Sequence, residues 1–187
     1  MAESGEAMHT GFWFNRIIEY WNLPTADLVL DHVRRGKVQV VQVGNFGVDF
    51  YGLADDPDVV RQWPGMPALG IEENLELAAD LIPQIQEAGA RVVGQFSMCW
   101  HNADHETGKG LFGSWDRIWT PELLGESPAD SATAANALDA SGAQHRRHIE
   151  GRPYYVYSGC ISNPVWLQTL KAMVRKGIDL GLDGFNA

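Results

Sequence analysis

Two short segments rich in β-branched residues, Val38-Gln-Val-Val-Gln-Val43 and Arg91-Val-Val-Gly-Gln-Phe-Ser97, stand on either side of one amphipathic stretch, and this arrangement constrains the fold more than any other feature. Each segment has the length and propensity of a buried strand. Between them, from Ile71, the apolar residues Leu75, Ala78, Ile82 and Ile85 recur at steps of three and four. Glu72 and Glu73 complement the dipole of the first turn, and Gly89 follows Ala88 as a C-terminal cap. Pro83 lies inside this helix, where it removes one backbone bond and is expected to bend it. Strand, helix, Gly, strand is the grammar of a βαβ unit, and such units build parallel sheets.

The pattern restarts downstream. Pro153-Tyr-Tyr-Val-Tyr157 reads as a third strand, and Asn163-Pro164 opens a helix, Asn as cap and Pro at the first helical position. That helix runs through Trp166, Leu170, Met173 and Val174 to about Leu180, with Gly181 as its stop. Leu182-Asp-Gly-Phe-Asn-Ala187 then reads as the first half of a fourth strand. Residues 1–37 read as an N-terminal lead-in, and 126–150, rich in Ala, Ser and Asp at its start, as an insertion or mobile loop within a single domain.

Strand–helix alternation leads either to an open doubly wound sheet or to a closed eight-stranded barrel. After Val43 the glycines read Gly44-Asn-Phe-Gly47, without the Gly-x-Gly-x-x-Gly of a dinucleotide fold. Both early strands are followed by long segments, one reaching about Gly70 through Pro57, Pro64 and Pro67, the other running Met98-Cys-Trp-His-Asn-Ala-Asp-His-Glu106. α/β connections usually take about two to six residues, and long loops at the carboxyl ends of strands are where barrel enzymes build their sites. The fold expected is therefore α/β, the N-terminal part of a (β/α)8 TIM-type barrel with three βα units and the start of a fourth strand. A full barrel takes about 250 residues, so the sequence reads as an incomplete one. An open-sheet domain is the alternative.

Composition narrows the partners. The 24 acidic residues against 14 basic ones give a formal charge of −10, a field that repels the phosphates of nucleic acid and of anionic membranes. Neither is expected as a partner. No stretch approaches the roughly 18 apolar residues of a membrane span, and the acidic opening Met1-Ala-Glu-Ser-Gly-Glu-Ala shows no signal peptide. A soluble chain is expected, of undetermined compartment. Seven Trp, seven Phe and five Tyr supply rings either for the core or for ligand stacking.

The segments Gly94-Gln-Phe-Ser-Met-Cys-Trp-His101, Gly110-Leu-Phe-Gly-Ser-Trp-Asp-Arg-Ile-Trp119, Asn163-Pro-Val-Trp166 and Gly181-Leu-Asp-Gly-Phe185 together resemble glycoside-hydrolase-like barrel proteins, distantly similar to the β-galactosidase and α-amylase class. The resemblance spans roughly residues 38–187. It implies that the strand opened by Asp183-Gly-Phe is similar to one that carries a catalytic nucleophile a few residues further on, with the acid/base on a later strand. Both positions would fall beyond Ala187, and no catalytic carboxylate is carried over.

Glycoside hydrolysis uses two carboxyl groups flanking the scissile bond. The acids placed after strands are Asp49, Asp104, Glu106 and Asp116, and contact with sugar hydroxyls suits them better than proton transfer. Trp100, Trp115 and Trp119, interleaved with His101, Asn102 and Asp116, mix apolar faces with hydrogen-bonding groups as ligand pockets do. The expected substrate-binding residues are Asn45, Asp49, Trp100, His101, Asp104, Trp115 and Asp116.

His101 and His105 raise a metal reading, since two imidazoles four apart on a helix can bind zinc. Asn102 follows the first His in place of a zincin's Glu, and Gly108 and Gly110 suggest a loop, so no metal and no cofactor is expected. Ser97 and Ser158 lack a nucleophile elbow.

The sequence thus points to a carbohydrate-processing barrel segment that works by paired-carboxylate chemistry when complete, with a carbohydrate as ligand. A catalytically silent carbohydrate-binding protein and a metal-dependent hydrolase using His101 and His105 are the alternatives. Unpaired strand edges lead to the further expectation of self-association.

Overall fold

The valine-rich segment around Val41 forms the second of four parallel strands in the computed structural model, which describes residues 16–20, 25–45, 71–148, 150 and 154–187. These begin with β1 (Ile17–Tyr20), α1 (Ala26–Gly36), β2 (Val40–Asn45), α2 (Ile71–Glu87) and β3 (Arg91–Gln95). An excursion follows, built from β4 (Trp100–Asp104), β5 (Lys109–Gly110), α3 (Leu111–Ile118), a 3-10 turn (Ala132–Ala135), β6 (Arg146–His148) and β7 (Tyr155–Ser158). Then come α4 (Pro164–Asp179) and β8 (Gly184–Asn186).

β1, β2, β3 and β8 pair in that order, all parallel, with Ile17 opposite Val40, Val40 opposite Arg91 and Val93 opposite Gly184. Successive side chains of a strand point to opposite faces, and here the two faces differ. Val41, Val43 and Val92 are buried in one core with Val29 and Val33 of α1, Leu81, Ile82 and Ile85 of α2, and Trp166, Leu170 and Met173 of α4. Fully burying such a side chain contributes on the order of 1.5–3 kcal/mol. The three crossover helices among the described residues therefore cover the same face, whereas a doubly wound sheet would carry helices on both. The sheet is singly wound.

Local chemistry sets the element ends. Asn163 accepts the Val165 N–H at 2.9 Å, with Pro164 at the first helical position of α4. The helices α2 and α4 are followed by Gly89 and Gly181 at φ of +93° and +94°, a conformation that strains any residue with a Cβ. Pro83 is accommodated inside α2, which continues through it as one element.

Two corrections concern the strands. The first βα unit, β1 with α1, lies within the span read as a lead-in. The strand read at 153–157 does not join the parallel sheet. As β7 it pairs antiparallel between β4 and β6, in a second sheet of order β5-β4-β7-β6. The parallel edge of β3 is taken by β8 instead. Antiparallel pairing needs only that the chain double back, while parallel pairing needs a crossover, which α4 supplies. Among the described residues the parallel sheet comprises three βα units and a fourth strand, with members other than those expected. Within 126–150 the chain contributes the 3-10 turn, whose Ala132 and Ala135 are buried, and the exposed strand β6.

Candidate functional site

On the face turned away from the helices, each of the four parallel strands contributes one polar side chain to a connected layer. Gln42 on β2 is its hub and is 7% exposed. Its Nε2 donates to Glu19 Oε1 on β1 at 2.6 Å and, more weakly, to Gln95 Oε1 on β3 at 3.4 Å. Its Oε1 accepts from Asn186 Nδ2 on β8 at 2.8 Å. Glu19 and Asn186 are exposed and Gln95 is half-buried. A cavity of about 510 Å³ lies against this face, walled by the apolar Ile17, Val40 and Val93 and bordered by Gln42, Asn186, Arg91 and Asp183.

These residues escaped the sequence reading. The available signal was Gln42, a polar residue inside the run Val40-Val-Gln-Val43, since period-two alternation puts it on the face opposite Val41 and Val43.

The excursion leaves from the carboxyl end of β3. Phe96 N–H donates to Asn186 O at 2.7 Å, and Trp166 Nε1 on α4 donates to Met98 O at 2.8 Å, so β8 and α4 hold its root. A Cβ on Gly159 would overlap the Trp166 ring, so the sheet approaches α4 as closely as a bare backbone allows.

Three of the expected contact residues, His101, Trp115 and Asp104, lie in this excursion's core or turns. His101 is fully buried, stacked on Tyr157 at 5.5 Å and tilted against Trp166 at 5.7 Å. Asn136 Nδ2 donates to Gln144 Oε1 at 2.6 Å, which leaves Asn136 Oδ1 to accept from His101 Nε2 at 2.8 Å. His101 is then the neutral Nε2–H tautomer. Burial holds its pKa down at about 4, with the Asn136 bond opposing in part. Trp115 is 2% exposed and donates Nε1 to Ala129 O at 2.9 Å, so its ring is enclosed by protein and offers no face for stacking.

Asp104, 7% exposed, accepts Thr107 Oγ1 at 2.7 Å and Glu106 N–H at 3.0 Å. Burial pushes its pKa up, but the bonds from Thr107 and the Glu106 and Thr107 amides, with the charge of Arg146, outweigh this and hold it below the ordinary carboxylate range. The carboxylate fixes the 104–107 turn. Trp100, half-buried on β4, pairs with Ser158 and retains an accessible part.

Asp116 is exposed on α3, one residue from the enclosed Trp115, so the two do not converge. Asn45 ends β2 in register with Gln95, and Asp49 lies outside the described residues. His101 and His105 sit on β4 and just past it, both edge-on to Phe112 at 5.8 and 4.9 Å. Among the described residues no three His, Cys, Asp or Glu side chains gather as a metal site would require, and no helix is long and apolar enough to cross a membrane.

No protein-family model matches the chain, and no curated protein matches it. Its fold is similar to that of TtGalA, an α-galactosidase from Thermus thermophilus, in complex with p-nitrophenyl α-D-galactopyranoside (TM-score 0.53, 19% identity, 91% of this chain and 29% of that one). The same enzyme in complex with stachyose gives a TM-score of 0.55 at 18% identity, over 91% of this chain and 31% of that one. A cyclic α-maltosyl-(1→6)-maltose hydrolase from Arthrobacter globiformis, in complex with its cyclic saccharide, gives 0.51 at 14% identity, over 91% and 42%. The chain thus spans less than half the length of these solved structures. These neighbours are glycoside hydrolases and the likeness is one of fold: parallel strands with helices, as in TIM barrels.

Proposed function

We propose that this chain supplies the first four strands of a (β/α)8 barrel that processes carbohydrate, hydrolysing glycosidic bonds by paired-carboxylate chemistry in the complete barrel. The observation that carries the reading is the singly wound parallel sheet in which the Asp183-Gly-Phe185 strand lies directly beside β3. Barrel enzymes collect catalytic groups from the carboxyl ends of several strands, and an oxocarbenium-like transition state needs two carboxyl groups about one bond. The fourth strand is where the resemblance puts the nucleophile's neighbourhood. The excursion leaves the sheet at the carboxyl end of β3, and we assign its half-buried Trp100, together with Asn45 at the end of β2, to sugar contact. The fold likeness to enzymes solved with stachyose and with a cyclic maltosaccharide supports the substrate class.

The test is an assay of the native-length protein against α- and β-linked aryl glycosides, with sugar binding followed in parallel. Turnover is the expected result, and binding without turnover would replace it with a lectin-like role. Absence of both turnover and binding would overturn the reading. Turnover by residues 1–187 alone, abolished by Asp49→Asn, Asp104→Asn or Asp116→Asn, would move catalysis into the loops.

A further inference from the structure

In the antiparallel excursion, Ala137, His145 and Ser158 are joined by a closed ring of backbone bonds. Ser158 N–H donates to His145 O at 3.0 Å, His145 N–H to Ala137 O at 2.8 Å, and Ala137 N–H to Ser158 O at 2.7 Å. The next residue is held as well, Gly159 N–H donating to Cys99 O at 2.9 Å. On this fixed backbone the Ser158 hydroxyl lies 2.8 Å from His145 Nδ1, a hydroxyl and an imidazole within reach of proton transfer. His145 is exposed and Ser158 half-buried, so the pair is open to a ligand. Trp100 stands directly opposite Ser158 on β4. Arg147, two residues beyond His145, leaves the same face by strand alternation. It is exposed and has no hydrogen-bond or ion-pair partner among the described residues. The Asp139 carboxylate is held below the ordinary carboxylate range by bonds from the Ser141 hydroxyl and amide and, against desolvation, from the Ala143 amide, and it feels the charge of His145 too.

We infer that Ser158 and His145 form a nucleophile and base that hydrolyse short acyl esters, an activity separate from glycoside cleavage. Such pairs are recognised by geometry and role, so a Gly-x-Ser-x-Gly turn is not required. With the imidazole proton on Nε2, His145 Nδ1 accepts from Ser158 Oγ. Oγ attacks the ester carbonyl carbon and its proton passes to Nδ1. As the carbonyl re-forms, the bond to the alcohol oxygen breaks, and the alcohol leaves with that proton. Water then attacks the acyl group on Ser158 and gives its proton to Nδ1, and the carboxylic acid departs as Oγ recovers the proton. Arg147 supplies positive charge for the tetrahedral oxyanion. Asp139 favours the imidazolium that forms, and Trp100 offers a ring against which the alcohol part packs.

The two activities share only Trp100, so ester cleavage stands or falls apart from the carbohydrate reading. The native-length protein is incubated with a fluorophosphonate, the labelled residue is read by peptide mass spectrometry, and ester turnover is followed with p-nitrophenyl acetate. The label is expected on Ser158. Ser158→Ala and His145→Gln, each checked by melting temperature, are expected to lower ester turnover about a hundredfold or more, as loss of a nucleophile or of its base does. Arg147→Met should lower kcat more than it raises KM, because its charge meets the oxyanion and not the ground state. Ester turnover unchanged in folded Ser158→Ala would overturn the inference, whether or not the protein cleaves glycosides. So would wild type left unlabelled at Ser158, a readout that needs no variant to fold.

Discussion

The Asp183 carboxylate accepts the Arg91 guanidinium at 2.8 Å and ties the approach to β8 onto the foot of β3. Its other oxygen accepts the Val92 N–H at 2.8 Å and Gln86 Nε2 at 3.0 Å. The guanidinium is largely exposed, so the ion pair itself contributes little, and the backbone bond matters more. Asp183→Ala is expected to cost about 1–3 kcal/mol, because the Val92 amide is left without its acceptor, measured by chemical denaturation. Burial pushes the Asp183 pKa up, but the bonds from Val92, Gln86 and Arg91 outweigh it and hold the group below 3.8. A depressed carboxylate stabilises the fold above its unfolded value and loses that contribution as pH falls through the folded one. Acid unfolding below pH 3.8 should therefore be less steep in Asp183→Asn.

His101 works in a different window. Its folded pKa of about 4 lies below the ordinary 6.5, so the folded chain binds fewer protons between these values. Stability is complete above pH 6.5 and falls as pH drops toward 4, by up to about 3 kcal/mol from this residue. Thermal melts from pH 7 to pH 4 should show the loss, and His101→Gln should flatten it. A flat wild-type profile over that range would contradict the neutral buried histidine.

The two tryptophans first paired as sugar contacts should separate on mutation. Trp115→Ala empties a core position and is expected to cost about 3–5 kcal/mol. Trp100→Ala, at a half-buried position, should cost far less and weaken saccharide binding instead. Melting temperatures and sugar titrations on both variants give the comparison.

Gly159→Ala should destabilise by about 1–3 kcal/mol, since the added methyl overlaps the Trp166 ring that anchors the excursion to α4. Partial recovery in a Gly159→Ala, Trp166→Phe double variant would identify the clash as the cause.

Residues 1–187 on their own should self-associate. β1 and β8 stand at the two edges of the parallel sheet, and Ile17, 61% exposed, lies on the face without helices. Sedimentation velocity should show concentration-dependent species, reduced in Ile17→Ser.

The sequence by itself determined the elements whose signals are local. The valines of β2 and β3, the three-and-four spacing of α2, and Asn163-Pro164 with Gly181 around α4 each carry their reason within a few residues. Tertiary structure decided which strands pair and which side chains end inside. Tyr155–Ser158 has the composition of any strand, and only the crossover through α4 gave the edge of β3 to β8. β1, four residues long, acquires its strand identity from the neighbouring β2. His101 and Trp115 look like ligand contacts until Tyr157, Trp166 and the 3-10 turn close over them. Glu19, Gln42, Gln95 and Asn186 are far apart in sequence, and parallel pairing alone assembles them into one layer. Propensity acts over the reach of one turn or one strand, whereas burial and register are set by residues that the chain brings back from far away.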